Sequence, residues 1–248
     1  MLLRPGSYTE LHLFRHAEGG HMADENTISG HAPYAQLTKA GFKQARQLGR
    51  GWNDEGIRPD RADASSLTRA LQTLNNALMA RPQGGMPIGS TKSLREQCMG
   101  AHEGQLHSVV YARDSPATRG LQALGADYRH PGHNQAGERG ESTNDVIHRM
   151  ASYVIGLRAS LDTPPPEQVV AVGHYSSIRA LLAYEALGGL SGTRTVDPLE
   201  LQAAFREQPK LEPCSDTLIV LEGDPANFRW RVEFAGLALS SEFDNLYL

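Results

Sequence analysis

The sequence predicts an α/β protein of three layers: a mainly parallel sheet, helices on both of its faces, and an insertion that shapes specificity. Three observations predict it. Two short apolar runs, Leu11-His12-Leu13-Phe14 and Val169-Val170-Ala171-Val172, have the length of strands buried in a sheet. Each runs into a histidine, the first through Arg15 to His16 and the second through Gly173 to His174. Between and around them, segments of helical spacing alternate with strand candidates, the pattern of a parallel sheet. If the two runs are parallel neighbours, both histidines stand at the carboxyl edge, where open α/β sheets place ligands.

The elements follow in order. Residues 10–14 form the first strand, and the polar stretch from Ala17 to Tyr34 reads as a loop over the carboxyl edge. Thr38 resembles an N-cap, and Ala40, Phe42, Ala45, Leu48 and Trp52 give helical spacing to about Asn53. Residues 61–65 are a strand candidate. Ser66 can cap the helix that follows, with Leu67, Leu71, Leu74 and Leu78 as its stripe and Arg69 in its first turn. A short strand at Pro87–Ser90 leads to a loop from Ser93 to Gly104. Residues 105–140 read as an insertion with some helix. Ser142 or Thr143 caps a helix to about Leu161, and the prolines Pro164, Pro165 and Pro166 make a stiff connector. After His174 a helix runs from about Ser177 to Leu187, stopped by Gly188 and Gly189. Residues 215–234 resemble a hairpin around Gly223-Asp224-Pro225.

Composition narrows the class. A chain of 248 residues is large for one domain but suits one α/β unit, and one domain over 1–248 is expected. Hydrophobic residues at 40% and charged residues at 21% are ordinary for a soluble globular protein. No apolar stretch approaches a membrane helix, and the start, Met1 to Gly6, lacks a signal peptide's apolar core; a cytoplasmic protein with no membrane partner is expected. Two cysteines, Cys98 and Cys214, suggest no disulfide framework. A net charge of -4 disfavours nucleic acid as a partner and leaves room for a local basic pocket. The terminal hairpin could add a sheet edge or a homodimer contact.

The residues at the carboxyl edge suit a phosphoryl group. Its spread negative charge fits the permanent charge and planar donors of Arg15 and Arg69. The helix after His174 points its amino end, near Tyr175 and Ser176, at the same edge, and helix amino ends bind anions. A neutral imidazole can act as a nucleophile. A carboxyl group must still protonate the leaving oxygen. Pattern alone does not choose it among 28 acidic residues.

Ordered motifs add to this. Leu13-Phe14-Arg15-His16-Ala17-Glu18 resembles the signature of the histidine phosphatase superfamily, the phosphoglycerate-mutase-like enzymes. In order along the chain, the resemblance continues through Leu37 to Ala45, Ala64 to Thr73, and Leu94-Arg95-Glu96 with Gly100 and Glu103-Gly104. It then takes in Gly140-Glu141-Ser142 and Gly173-His174 with Arg179 to Leu182. It implies that His16 attacks phosphorus, that Arg15, Arg69 and His174 hold the phosphoryl oxygens, and that Glu96 protonates the leaving alcohol and then activates water. It makes Asn26 the counterpart of a phosphate-binding asparagine, at a longer spacing. No metal and no cofactor are implied, since the protein's own cations take the part of magnesium. The expected activity is a metal-independent phosphomonoesterase acting on a small phosphorylated metabolite. A mutase, or a catalytically silent binder of a phosphorylated ligand, is the alternative.

Three positions depart from the family's pattern. Ala17 stands where glycine is usual, and Tyr175 follows the second histidine where glycine is common, its N–H still able to reach phosphate. Cys98-Met99 replaces the His-Tyr of the mutase branch, which favours a phosphatase. Among other candidates, His102, His107, His130 and His133 match no zinc spacing and read as surface residues. Lys92 follows Ser90-Thr91 in the wrong order for a P-loop, and Ser176-Ser177 lacks a serine hydrolase elbow. Arg113, Arg119, Arg129 and Arg139 in the insertion read as solvated surface, with binding of a second anionic group of the substrate as the alternative.

Overall fold

The computed structural model describes residues 8–20, 27–32, 35–157, 167–189, 196–224 and 227–237. Its strands are β1 (Tyr8–Arg15), β2 (Arg61–Ser65), β3 (Ile88–Thr91), β4 (Gln168–Gly173), β5 (Asp216–Asp224) and β6 (Asn227–Leu237). They form one mixed sheet in the order β3-β2-β4-β1-β5-β6. The first four run parallel, and the terminal hairpin adds β5 and β6 antiparallel at one side. The helices are α1 (Lys39–Asp54), α2 (Thr68–Ala80), α3 (His107–Val110), α4 (Pro116–Leu124), α5 (Thr143–Gly156), α6 (Tyr175–Ala186) and α7 (Pro198–Glu207). Among the described residues no helix is long and apolar enough to cross a membrane.

The alternation of side chains along a strand builds the three layers. Leu11, Leu13, Val169 and Ala171 face α5 and α6 on one side. Phe14, Val170, Val172, Ala62 and Ala64 face α1 and α2 on the other. Trp52 of α1 is fully buried, its ring 5.5 Å from Phe14. Gly49 lets α1 and α2 cross closely: a Cβ there would lie 1.9 Å from the Ala77 carbonyl oxygen. Deep in the sheet, His12 Nδ1 and Asp216 Oδ2 join β1 to β5 at 2.7 Å. Burial pushes the Asp216 carboxyl up, and the His12 contact offsets only part of that.

Several local expectations change. Ser66 does not cap α2; its hydroxyl accepts from Arg95 Nε, and Ser65 Oγ accepts from the Leu67 N–H instead. Its buried stripe is Arg69, Ala70, Thr73, Leu74, Ala77 and Leu78, with Leu71 only partly covered. Ser142, not Thr143, caps α5, in a reciprocal box with Asp145; α5 is described to Gly156, and the expected end at Leu161 lies outside the described residues. The three-proline connector lies outside the described residues. Helix α6 starts at Tyr175, directly after His174. Helix α7 was not anticipated; its signal was Asp197-Pro198, a cap that accepts from the Leu199 and Glu200 N–H groups followed by proline in the first turn. His130 is 3% exposed rather than on the surface, its Nδ1 3.1 Å from that of His102.

Candidate active site

β1 and β4 are parallel neighbours with Arg15 opposite Gly173, so the next residue of each chain leaves the sheet at the same place. The His16 N–H donates to the Gly173 carbonyl at 3.0 Å, and the His16 and His174 rings lie 5.0 Å apart. His16 Nδ1 is 2.6 Å from the Ala17 carbonyl oxygen. A carbonyl only accepts, so Nδ1 carries the hydrogen and Nε2 presents a lone pair. Arg69 Nε donates to that Nε2 at 3.2 Å.

The ordered motif segments hold this nitrogen in place. The Ala17 N–H donates to Thr73 Oγ1 at 3.0 Å, and the Glu18 N–H to Gln44 Oε1 at 2.9 Å. Thr38 Oγ1 donates to Glu18 Oε1 at 2.6 Å while accepting the Gly41 N–H. Gly41 is required here, because a Cβ would stand 2.1 Å from the Glu18 carbonyl oxygen. Ala17 in place of glycine brings no strain: among the described residues the non-glycine with positive φ is Cys214.

β2 lies beside β4, which brings Ser65 Oγ within 2.8 Å of His174 Nε2. Arg69, in the first turn of α2, is 1% exposed and also donates to the Gly30 carbonyl at 2.8 Å. His174 is fully buried and held well below the usual histidine range, first by burial and then by the charge of Arg69 and the nearness of His16. It is therefore neutral.

Glu96 sits in the loop between two 3₁₀ turns, Lys92–Leu94 and Gly100–His102. Its carboxylate accepts N–H groups from Gln97 at 2.9 Å and from Ser176 and Ser177 at 3.1 Å each. The amino end of α6, read from sequence as a phosphate site, is thus occupied here by Glu96. Arg149 of α5 ties down the loop's main chain, donating to the carbonyls of Ser93, Arg95 and Glu96. The same guanidinium grips Glu141.

A cavity of about 530 Å³ is lined by Arg15, His16, Arg69, Glu96, Tyr175 and Ser176, by Thr27 and Ser29, and by Lys210 and Glu212. His174, 5.0 Å from the His16 ring, is not among the lining residues. Arg15 is lowered from its ordinary value by burial, which Glu96 and Glu212 partly oppose. Its guanidinium donates to the Leu211 carbonyl and lies 5.0 Å from the centre of the Tyr175 ring. Arg179 lies over the same ring at 5.0 Å and donates to the carbonyls of Phe205, Arg206 and Gln208. The segment after α7 is thereby latched against the cavity, which is how Lys210 and Glu212 reach it. Sequence reasoning missed both, and nothing local marks them.

Asn26 lies outside the described residues. No described residue of 105–140 lines the cavity. The insertion instead packs against the 27–28 loop, where Ile28, Val110 and Ala117 form a small core. Arg119 donates to the Asp114 carbonyl, and Arg129 to the Gly140 carbonyl and Asp145.

A second cavity of about 200 Å³ holds His31, Cys98 and Glu138 close enough together for a metal. Their surroundings do not suit one. Lys92, Arg95, Arg139 and Arg149 line the same cavity, and burial pushes the Cys98 thiol up to about 12.

The family model of the histidine phosphatase superfamily (branch 1) matches residues 11–197. The chain belongs to the histidine phosphatase superfamily. A 2,3-bisphosphoglycerate-dependent phosphoglycerate mutase of Methylobacterium sp. (strain 4-46) is 31% identical over 166 residues, 66% of this chain and 74% of that protein. In fold, the chain is similar to a solved mycobacterial protein described as hydrolase 2, with a TM-score of 0.71 at 22% identity over 96% of both chains. It is also similar to a mycobacterial glucosyl-3-phosphoglycerate phosphatase, with a TM-score of 0.67 at 23% identity over 93% of this chain and 100% of that one. A protein named as a phosphatase and one named as a mutase are thus both among those this chain is similar to.

Proposed function

We propose that this member of the superfamily is a metal-independent phosphomonoesterase that works through a phosphohistidine on His16 and acts on a small phosphorylated metabolite. The observation that carries the reading is the state of His16. Nδ1 is held by the Ala17 carbonyl, and Nε2 faces Arg69 on the wall of a cavity that also contains Arg15 and Glu96. In the first step the Nε2 lone pair attacks phosphorus and the ester P–O bond breaks. The leaving oxygen takes a proton from the Glu96 carboxyl. In the second step Glu96 takes a proton from water, the hydroxide attacks phosphorus, and the P–N bond breaks and returns the lone pair to Nε2. Arg15 and Arg69, which line the cavity, meet the charge on the phosphoryl oxygens, the Tyr175 N–H is a further donor to them, and His174, beside His16, is a proposed neutral ligand of the same group. Asn26 remains a proposed ligand of the same group.

The proposal is tested by label transfer from a radiolabelled phosphoester. The native enzyme should acquire acid-labile label and release phosphate, and His16→Ala should do neither. An active His16→Ala enzyme would overturn the reading. The relative named as a mutase favours a second reading, transfer of phosphate between hydroxyls of a sugar acid. Phosphoglycerate isomerisation faster than phosphate release would establish it. Cys98-Met99, in place of the mutase branch's His-Tyr, supports hydrolysis.

A further inference from the structure

His31 belongs to the turn that carries Ser29 and Gly30, and its ring reaches the Glu96 loop. Its Nε2 lies 2.6 Å from the Glu96 carbonyl oxygen, and its Nδ1 lies 2.7 Å from Glu138 Oε2. Its own N–H donates to Glu103 Oε1 at 2.9 Å. The side chain is only 8% exposed. A main-chain carbonyl cannot donate. Glu138 is ionised: burial pushes it up, but hydrogen bonds from His31 and Arg95 outweigh this and hold it below the usual carboxylate range. Both ring nitrogens therefore face acceptors.

The turn has a second attachment. The Gly30 carbonyl, one residue before His31, accepts from Arg69. The turn 29–31 thus runs from the arginine that meets His16 to the backbone of Glu96. Gly30 makes the tight passage possible: its φ is +42°, and a Cβ would stand 2.4 Å from Glu103 Oε1. Arg149 also donates to the Glu96 carbonyl, at 2.9 Å.

We propose that His31 is a positioning residue for Glu96: its ring, held between Glu138 and the Glu96 carbonyl, clamps the Glu96 main chain and sets the distance between the acid and the Arg69–His16 pair. This rests on the reading of Glu96 as the proton donor to the leaving group. In the first step, which kcat/KM reads, a displaced acid harms only substrates whose leaving oxygen needs a proton. The clamp therefore predicts a dependence on the leaving group, which a general loss of structure does not.

The test compares kcat/KM for a simple alkyl phosphate and for p-nitrophenyl phosphate, whose leaving group departs without a proton. Glu96→Gln is the reference and should lose about 10²–10⁴-fold on the alkyl ester and far less on the aryl ester. His31→Ala should lose about 10- to 100-fold on the alkyl ester and stay within about threefold of native on the aryl ester, as a misplaced acid would. His31→Gln keeps an N–H for the Glu96 carbonyl and should recover part of the loss. It also carries the test if the alanine variant does not fold. Equal losses on both esters, or none, in the His31 variants while Glu96→Gln discriminates would overturn the clamp alone. A Glu96→Gln enzyme that treats both esters alike would overturn the acid assignment, and the clamp with it.

Discussion

Arg69 and His16 meet nitrogen to nitrogen: Arg69 Nε donates at 3.2 Å to the His16 Nε2 that Ala17 leaves without hydrogen. One contact thus points the lone pair and brings a permanent cation to where the phosphoryl oxygens would arrive. Lysine keeps the charge but loses the fork that reaches His16 and Gly30 together. Arg69→Lys is expected to lower kcat/KM about 10²–10³-fold. Steady-state rates check this, with the melting temperature as a control for folding. Near-native rates would show that charge alone suffices.

The close crossing of α1 and α2 gives a test of the scaffold. A methyl group on Gly49 would meet the Ala77 carbonyl at 1.9 Å, against main chain that cannot turn aside. Gly49→Ala is expected to cost about 1–3 kcal/mol, even though alanine favours helix over glycine. Urea unfolding measures it. A stabilised variant would show that the two helices separate easily.

Acid should weaken the fold. Burial, reinforced by the neighbouring His102, lowers His130 to about 4, whereas an unfolded histidine titrates near 6.5. Between those values the unfolded chain binds more protons, so stability falls as pH drops below about 6.5 and is fully present above it. His130 alone accounts for roughly 2 kcal/mol between pH 7 and pH 5. The depressed His174 acts in the same direction. Unfolding at the two pH values should show the loss, and His130→Asn should lessen it. A native protein equally stable at both would contradict the burial of these rings.

Most of the fold was legible because its signals are local. Apolar runs, Thr38, Ser142 and the glycines after α6 act within a few residues of themselves. Helix α7 was missed because its signal is only a cap and a proline. The starts of α2 and α6 shifted because Arg95 claims the Ser66 hydroxyl and because the chain turns helical directly after His174. The insertion was expected to wall the site, yet no described residue of it does, since its apolar side chains have the 27–28 loop to cover.

The sequence by itself determined the strands and the main helices apart from α7, and it put Arg15-His16, Arg69 and Gly173-His174 at strand ends and a helix start. Those are consequences of period and capping, which neighbouring residues decide. Only the tertiary structure decided the rest: which nitrogen of His16 lacks hydrogen, that Glu96 caps α6, and that His31 and Arg149 share its carbonyl. It also brought Lys210 and Glu212 to the cavity. These depend on which carbonyl or carboxylate stands opposite a side chain distant in sequence, and no periodicity along the chain encodes that.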